Sequence, residues 1–223
     1  MQEAIRLLSS LLPIIFFVIF CKRKASKELW VFFVYCIISL IFDVFLAVSA
    51  WAFDHRFSVW NFYGILEIGV LSYFFYLIIN QRVIKVLILL SSILYIIFSL
   101  IYFQIYNDYY NSIMSTIGSV ILLILALCYF LNTMKPTAEP VNIFTPVFLI
   151  VIALLVNISS TLFLIAITNR MTVGEMTKYW GISNYAIILM NLTVSAAFIL
   201  FHYQKKSKPP ESHTVDFTSR NDR

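Results

Sequence analysis

"VWNFYGILEIGVLSYFFYLIIN", Val59 to Asn80, is mostly apolar and carries a single charged residue, the carboxylate Glu67. A helix rises ~1.5 Å per residue, so a run of this length crosses ~30 Å of hydrocarbon. The composition of the whole chain repeats the message. Of 223 residues, 61% are hydrophobic and 12% charged, and the mean hydropathy is +0.89, far from the even mix of a soluble domain. Six further stretches are long and apolar enough to span. The spans read as 4–21, 29–52, 59–80, 84–104, 113–134, 143–168 and 181–203. The expectation is an all-α polytopic membrane protein, one seven-helix bundle over residues 1–203, followed by a polar disordered tail over 204–223. The loops between spans are too short for a soluble catalytic domain.

Lys and Arg accumulate in cytoplasmic loops, so their placement orients the bundle. Lys22, Arg23, Lys24 and Lys27 follow span 1, Arg82 and Lys85 follow span 3, Lys135 follows span 5, and Lys205, Lys206 and Lys208 follow span 7. The other side holds Arg6, Arg56, Arg170 and Lys178. This asymmetry puts the N-terminus outside and the C-terminus in the cytoplasm, in a multi-pass protein of the cytoplasmic (inner) membrane. Trp51, Trp60 and Trp180 then fall at the outer boundary and Trp30 at the inner one, where amphipathic indoles settle. Span 1 reads as a retained helix bent at Pro13: no small residue precedes Cys21 to offer a cleavage site.

The formal net charge of +5 does not point to nucleic acid, because the basic residues line one membrane face. Their expected partners are the headgroups of the lipid bilayer. Three cysteines without CxxC spacing and three scattered histidines suggest neither a disulfide nor a zinc site. No cofactor is expected. Span 7 has no lysine for a retinal Schiff base.

An acid at membrane depth is costly, and such acids usually face a bundle interior or a wet cavity. Glu67 lies ~10 Å inward from Trp60, and Asp43 lies ~12 Å inward from Trp51. Spans 2 and 3 are joined by a short loop, so these are carboxylates at matched depth on antiparallel neighbours. If no cation reaches them they cannot both ionise cheaply, since like charge and poor solvation each oppose it. Arg6 is the one basic residue placed to reach down. Tyr63, at i,i+4 from Glu67, shares its face. Ser119, Asn157, Thr161, Asn184 and Asn191 gather in the same outer half of spans 5, 6 and 7. An outward polar pocket around Asp43, Tyr63 and Glu67 would take a small polar or cationic ligand, or protons. The plainer reading of Ser, Thr and Asn is interhelical packing, and Ser115-x-x-x-Ser119 with Gly118 has the form of a helix-contact face.

Asp43 in span 2, "NFYGILEIG" in span 3, "SSTLFL" in span 6 and "YWGISN" before span 7 resemble a family of small, uncharacterised seven-helix integral membrane proteins common in Bacteroidetes-type bacteria. Members often carry an acid in span 5, where this chain has Gly118. The resemblance implies the seven-helix fold and, by analogy with seven-helix sensor regions, a sensory module with a cytoplasmic signalling partner; no activity transfers with it. A small-solute or proton-coupled transporter is the alternative. A membrane lipid hydrolase using paired carboxylates is a third, although no nucleophile motif accompanies it.

Overall fold

The structure is a computed structural model that describes residues 2–22, 25–52, 56–105, 112–134, 145–168 and 173–207. The loop at 135–144, the tail from 208, and the side chains of Trp51, Trp60 and Trp180 lie outside the described residues. Among the described residues the chain is all helical. Helix α1 spans Gln2–Phe16 and continues through a π turn, Phe17–Cys21; α2 is Lys27–Ala52, α3 Arg56–Ile78, α4 Arg82–Ile105, α5 Ser112–Thr133, α6 Pro146–Thr168 and α7 Val173–Ser207. Six helical segments are long and apolar enough to cross a membrane, and α3 adds the shorter apolar stretch Phe62–Ile78. This is a helical multi-pass membrane bundle.

Where helix ends differ from the hydropathy reading, local chemistry accounts for it. Helix α6 starts at Pro146, not at residue 143, because Thr145 caps it: its Oγ1 accepts the Phe148 amide at 3.2 Å. Proline just inside the cap loses no hydrogen bond there. Helix α7 begins at Val173, well before the expected 181, and runs four residues past the expected 203 to Ser207. No proline interrupts that run. At ~1.5 Å per residue it is ~50 Å long, longer than the hydrocarbon is thick.

The helices form a ring in which each packs on its neighbours: α1 on α2, α2 on α3, α3 on α5, α5 on α6, α6 on α7 and α7 back on α1. Helix α4 lies outside the ring, against α3 and α5. Its buried residues, Ile88, Ser92, Tyr95 and Ser99, fall on one stripe at helical spacing. Most of the other α4 residues between Val86 and Ile101 are apolar and exposed, as on a lipid-facing helix.

The interior is divided lengthwise. Near the link between α1 and α2 it is dry and dense, filled by Phe17, Phe32, Phe74, Phe75, Ile150, Leu154 and Phe198, all at most 1% exposed. Lipid tails are as apolar as leucine, so this half is held by close packing more than by escape from water. The π turn serves that packing. Lys22 donates to the Phe17 carbonyl at 3.1 Å, the i to i−5 bond that adds one residue to the turn. Phe17 is thereby turned inward, stacked on Phe33 with ring centroids 4.1 Å apart and edge-on to Trp30 and Phe198.

Small residues set how closely α4 approaches. A Cβ on Gly118 would meet the Tyr95 hydroxyl at 3.1 Å and Ile68 Cδ1 at 3.2 Å, whereas one on Gly69 would meet nothing within 4 Å. Gly118→Ala should therefore cost about 1–3 kcal/mol through overpacking. Gly69→Ala should stabilise by up to about 1 kcal/mol through helix propensity. Melting of the two variants in one detergent should move in opposite directions. Equal shifts would remove Gly118 as the spacer.

Candidate functional site

The half of the bundle nearer the start of α1 holds a polar cavity of about 110 Å³. Five helices wall it: Arg6 on α1; Tyr35, Ser39, Phe42 and Asp43 on α2; Tyr63 and Glu67 on α3; Asn157 and Thr161 on α6; Ile187 and Met190 on α7. Helical periodicity makes this possible. Tyr35, Ser39 and Asp43 follow one another at i, i+4 and i+8, and Tyr63–Glu67 and Asn157–Thr161 are each i,i+4 pairs, so each set shares one face.

Two carboxylates enter this space, and they are held differently. Arg6 Nη2 stands 3.4 Å from Asp43 Oδ1, the one ion pair between described residues, with the two side chains 15% and 13% exposed. The Ser10 hydroxyl, one turn along α1 from Arg6, lies 3.3 Å from Asp43 Oδ2 and 3.2 Å from the Arg6 carbonyl. It has one proton for the two acceptors. Asn191 of α7 donates to Ser9 and Ser10 at 3.0 and 3.2 Å. It therefore buttresses the Asp43 side of the site from behind the cavity wall.

Glu67 has no cation partner among the described residues. The Tyr35 hydroxyl donates to its Oε1 at 3.0 Å. The Tyr63 hydroxyl lies 3.4 Å from the same oxygen and 3.4 Å from Ser39 Oγ. Oε2 accepts no hydrogen bond from a described residue, so one edge of the carboxylate is left open where the side chain lines the cavity. Asn157 lines the same space, while the Thr161 hydroxyl donates to the Asn157 backbone carbonyl at 3.0 Å.

Of the residues singled out in the sequence, Asp43, Tyr63, Glu67, Asn157 and Thr161 line the one cavity. Asn191 adjoins it through Ser10. Ser119 and Asn184 are not among its lining residues. Of the two acids, Arg6 reaches Asp43 and not Glu67, because its long side chain spans from the first turns of α1 to the α2 wall; the pair of acids without a cation therefore does not form. Tyr35, Ser39, Phe42 and Ser10 escaped the sequence reading. The i, i+4, i+8 series ending at Asp43 was the signal for two of them. Phe42 carried none, being one aromatic in an apolar run.

The cavity is poorly furnished for a metal ion. No group of three or more His, Cys, Asp or Glu among the described residues could hold one. No family model, curated protein or solved structure matches the chain.

Proposed function

We propose that this protein is a receptor-like membrane protein that recognises a small polar or cationic ligand, or a proton, in the cavity around Glu67. The observation that carries the reading is the contrast between the two acids. Asp43 is neutralised by Arg6, whereas Glu67 faces the cavity with tyrosine hydroxyls on one oxygen and none on the other. The net charge of the lining, counted over Arg6, Asp43 and an ionised Glu67, is negative, and a cation would complete it. Support for an outward-facing cavity comes from the loop charges, which put the start of α1 outside an inner membrane and the end of α7 in the cytoplasm. There α7 and the segment after it would meet a signalling partner.

Transport of the same solute is the alternative. A lipid hydrolase using paired carboxylates, the third reading, would have to work with Asp43 held by Arg6.

Purified protein titrated with methylammonium, followed by melting and tyrosine–tryptophan fluorescence, should show a saturable response. Glu67→Gln keeps the shape of the side chain and should weaken that response by about tenfold or more. A response of equal strength in Glu67→Gln would remove Glu67 as the recognition group. Methylammonium entering proteoliposomes faster than protein-free vesicles would replace the receptor reading by the transporter.

A further inference from the structure

The cavity contains more than a carboxylate. The rings of Tyr35, Phe42 and Tyr63 line it together with Glu67, and Phe42 packs on Tyr63 with centroids 5.2 Å apart. Both tyrosine hydroxyls are directed to the Glu67 side, at 3.0 and 3.4 Å from Oε1. Aromatic rings carry negative charge on their faces, and a cage of them beside one carboxylate is the chemistry that selects alkylated ammonium ions. Such ions have a low hydration cost and no need of a full shell of oxygen ligands. Inorganic cations need that shell, and Glu67 is the one carboxylate here not already engaged by a cation.

The size agrees. A volume of about 110 Å³ corresponds to roughly three or four waters at ~30 Å³ each, enough for a compact methylated ammonium and too little for a long chain. Met190 of α7, also in the lining, adds a soft, polarisable surface that suits methyl groups. Arg6 does not repel the guest as a free cation would, because Asp43 holds it.

We infer that the ligand class of this cavity is a small methylated ammonium ion, enclosed by Tyr35, Phe42 and Tyr63 and neutralised by Glu67. This rests on the Glu67-centred reading proposed above and narrows it from any small polar or cationic guest to one chemical class. Phe42 is its specificity-determining residue: it contributes a ring and no hydrogen bond to Glu67, and it packs on Tyr63.

The test compares tetramethylammonium, methylammonium, ammonium and sodium chlorides at constant ionic strength, with full-length protein in detergent or nanodiscs. Binding is read by calorimetry and by melting. Tetramethylammonium should bind about tenfold or more tighter than ammonium or sodium. Phe42→Leu should erase most of that preference, bringing tetramethylammonium down toward the strength of ammonium. Glu67→Gln should weaken all of the organic cations. Sodium or ammonium binding as tightly as tetramethylammonium, still lost in Glu67→Gln, overturns the methylated-ammonium class and leaves the Glu67 reading standing. A preference unchanged in Phe42→Leu overturns the aromatic cage. No saturable binding of any of the four overturns both this inference and the reading beneath it.

Discussion

Replacing Arg6 with Gln should destabilise the folded bundle by about 3 kcal/mol, the cost of leaving a largely enclosed carboxylate, 13% exposed, without its cation. Asp43 would keep only the Ser10 hydroxyl, at 3.3 Å, and that hydroxyl is shared with the Arg6 carbonyl. The pair itself is a single contact of 3.4 Å, so the expected loss comes from stranding Asp43 more than from forfeiting a strong bond. The double variant Arg6→Gln/Asp43→Asn removes both charges and should recover most of the lost stability, since replacing a whole buried pair is often neutral. Thermal unfolding of the two variants in the same detergent decides the matter. If the double variant unfolds as early as the single one, the ion pair is not what holds Asp43 in place.

The second large effect belongs to the dry half. Phe17→Ala should cost about 3–5 kcal/mol, because a fully buried aromatic leaves a cavity its neighbours cannot close. Phe17 is 0% exposed and touches Phe33, Trp30 and Phe198 at centroid distances of 4.1, 4.9 and 5.2 Å. At roughly 2–4 °C per kcal/mol for a chain of this size, the melting temperature should fall by roughly 10 °C. Ile19→Ala is the control: it lies in the same π turn, but Ile19 is 64% exposed and faces the surroundings. A Phe17→Ala melt no lower than that of Ile19→Ala would mean that the π turn does not key α1 into the aromatic cluster.

Both effects turn on how α1 is rotated, and hydropathy is silent on that. Pro13 lacks the amide that would hold the Ser9 carbonyl. The π turn that follows adds a residue, so Phe17 and Cys21 point inward together. The Cys21 thiol reaches the Phe198 carbonyl of α7 at 3.5 Å. A sequence reader sees Pro13 and expects a bend; the direction of Phe17 after it depends on what α2 and α7 present.

The chain itself determined its solvent and its helices. Backbone amides cannot stay unpaired in hydrocarbon, so apolar runs of this length have to be helical, and breaks such as Thr145–Pro146 mark where they begin. It also determined that Asp43 and Glu67 were the costly residues, because the expense of an acid at depth is a property of the acid and its depth. Which group answered each acid was a tertiary decision. Helices that are apolar on every side, such as α3, carry no stripe that declares an inward face. Rotation was therefore settled by packing: Arg6 came to face Asp43, Tyr35 crossed from α2 to Glu67, and Phe42 became part of a wall. Those pairings join residues far apart in the chain and depend on angles about several helix axes at once, and no local pattern of residues encodes such angles.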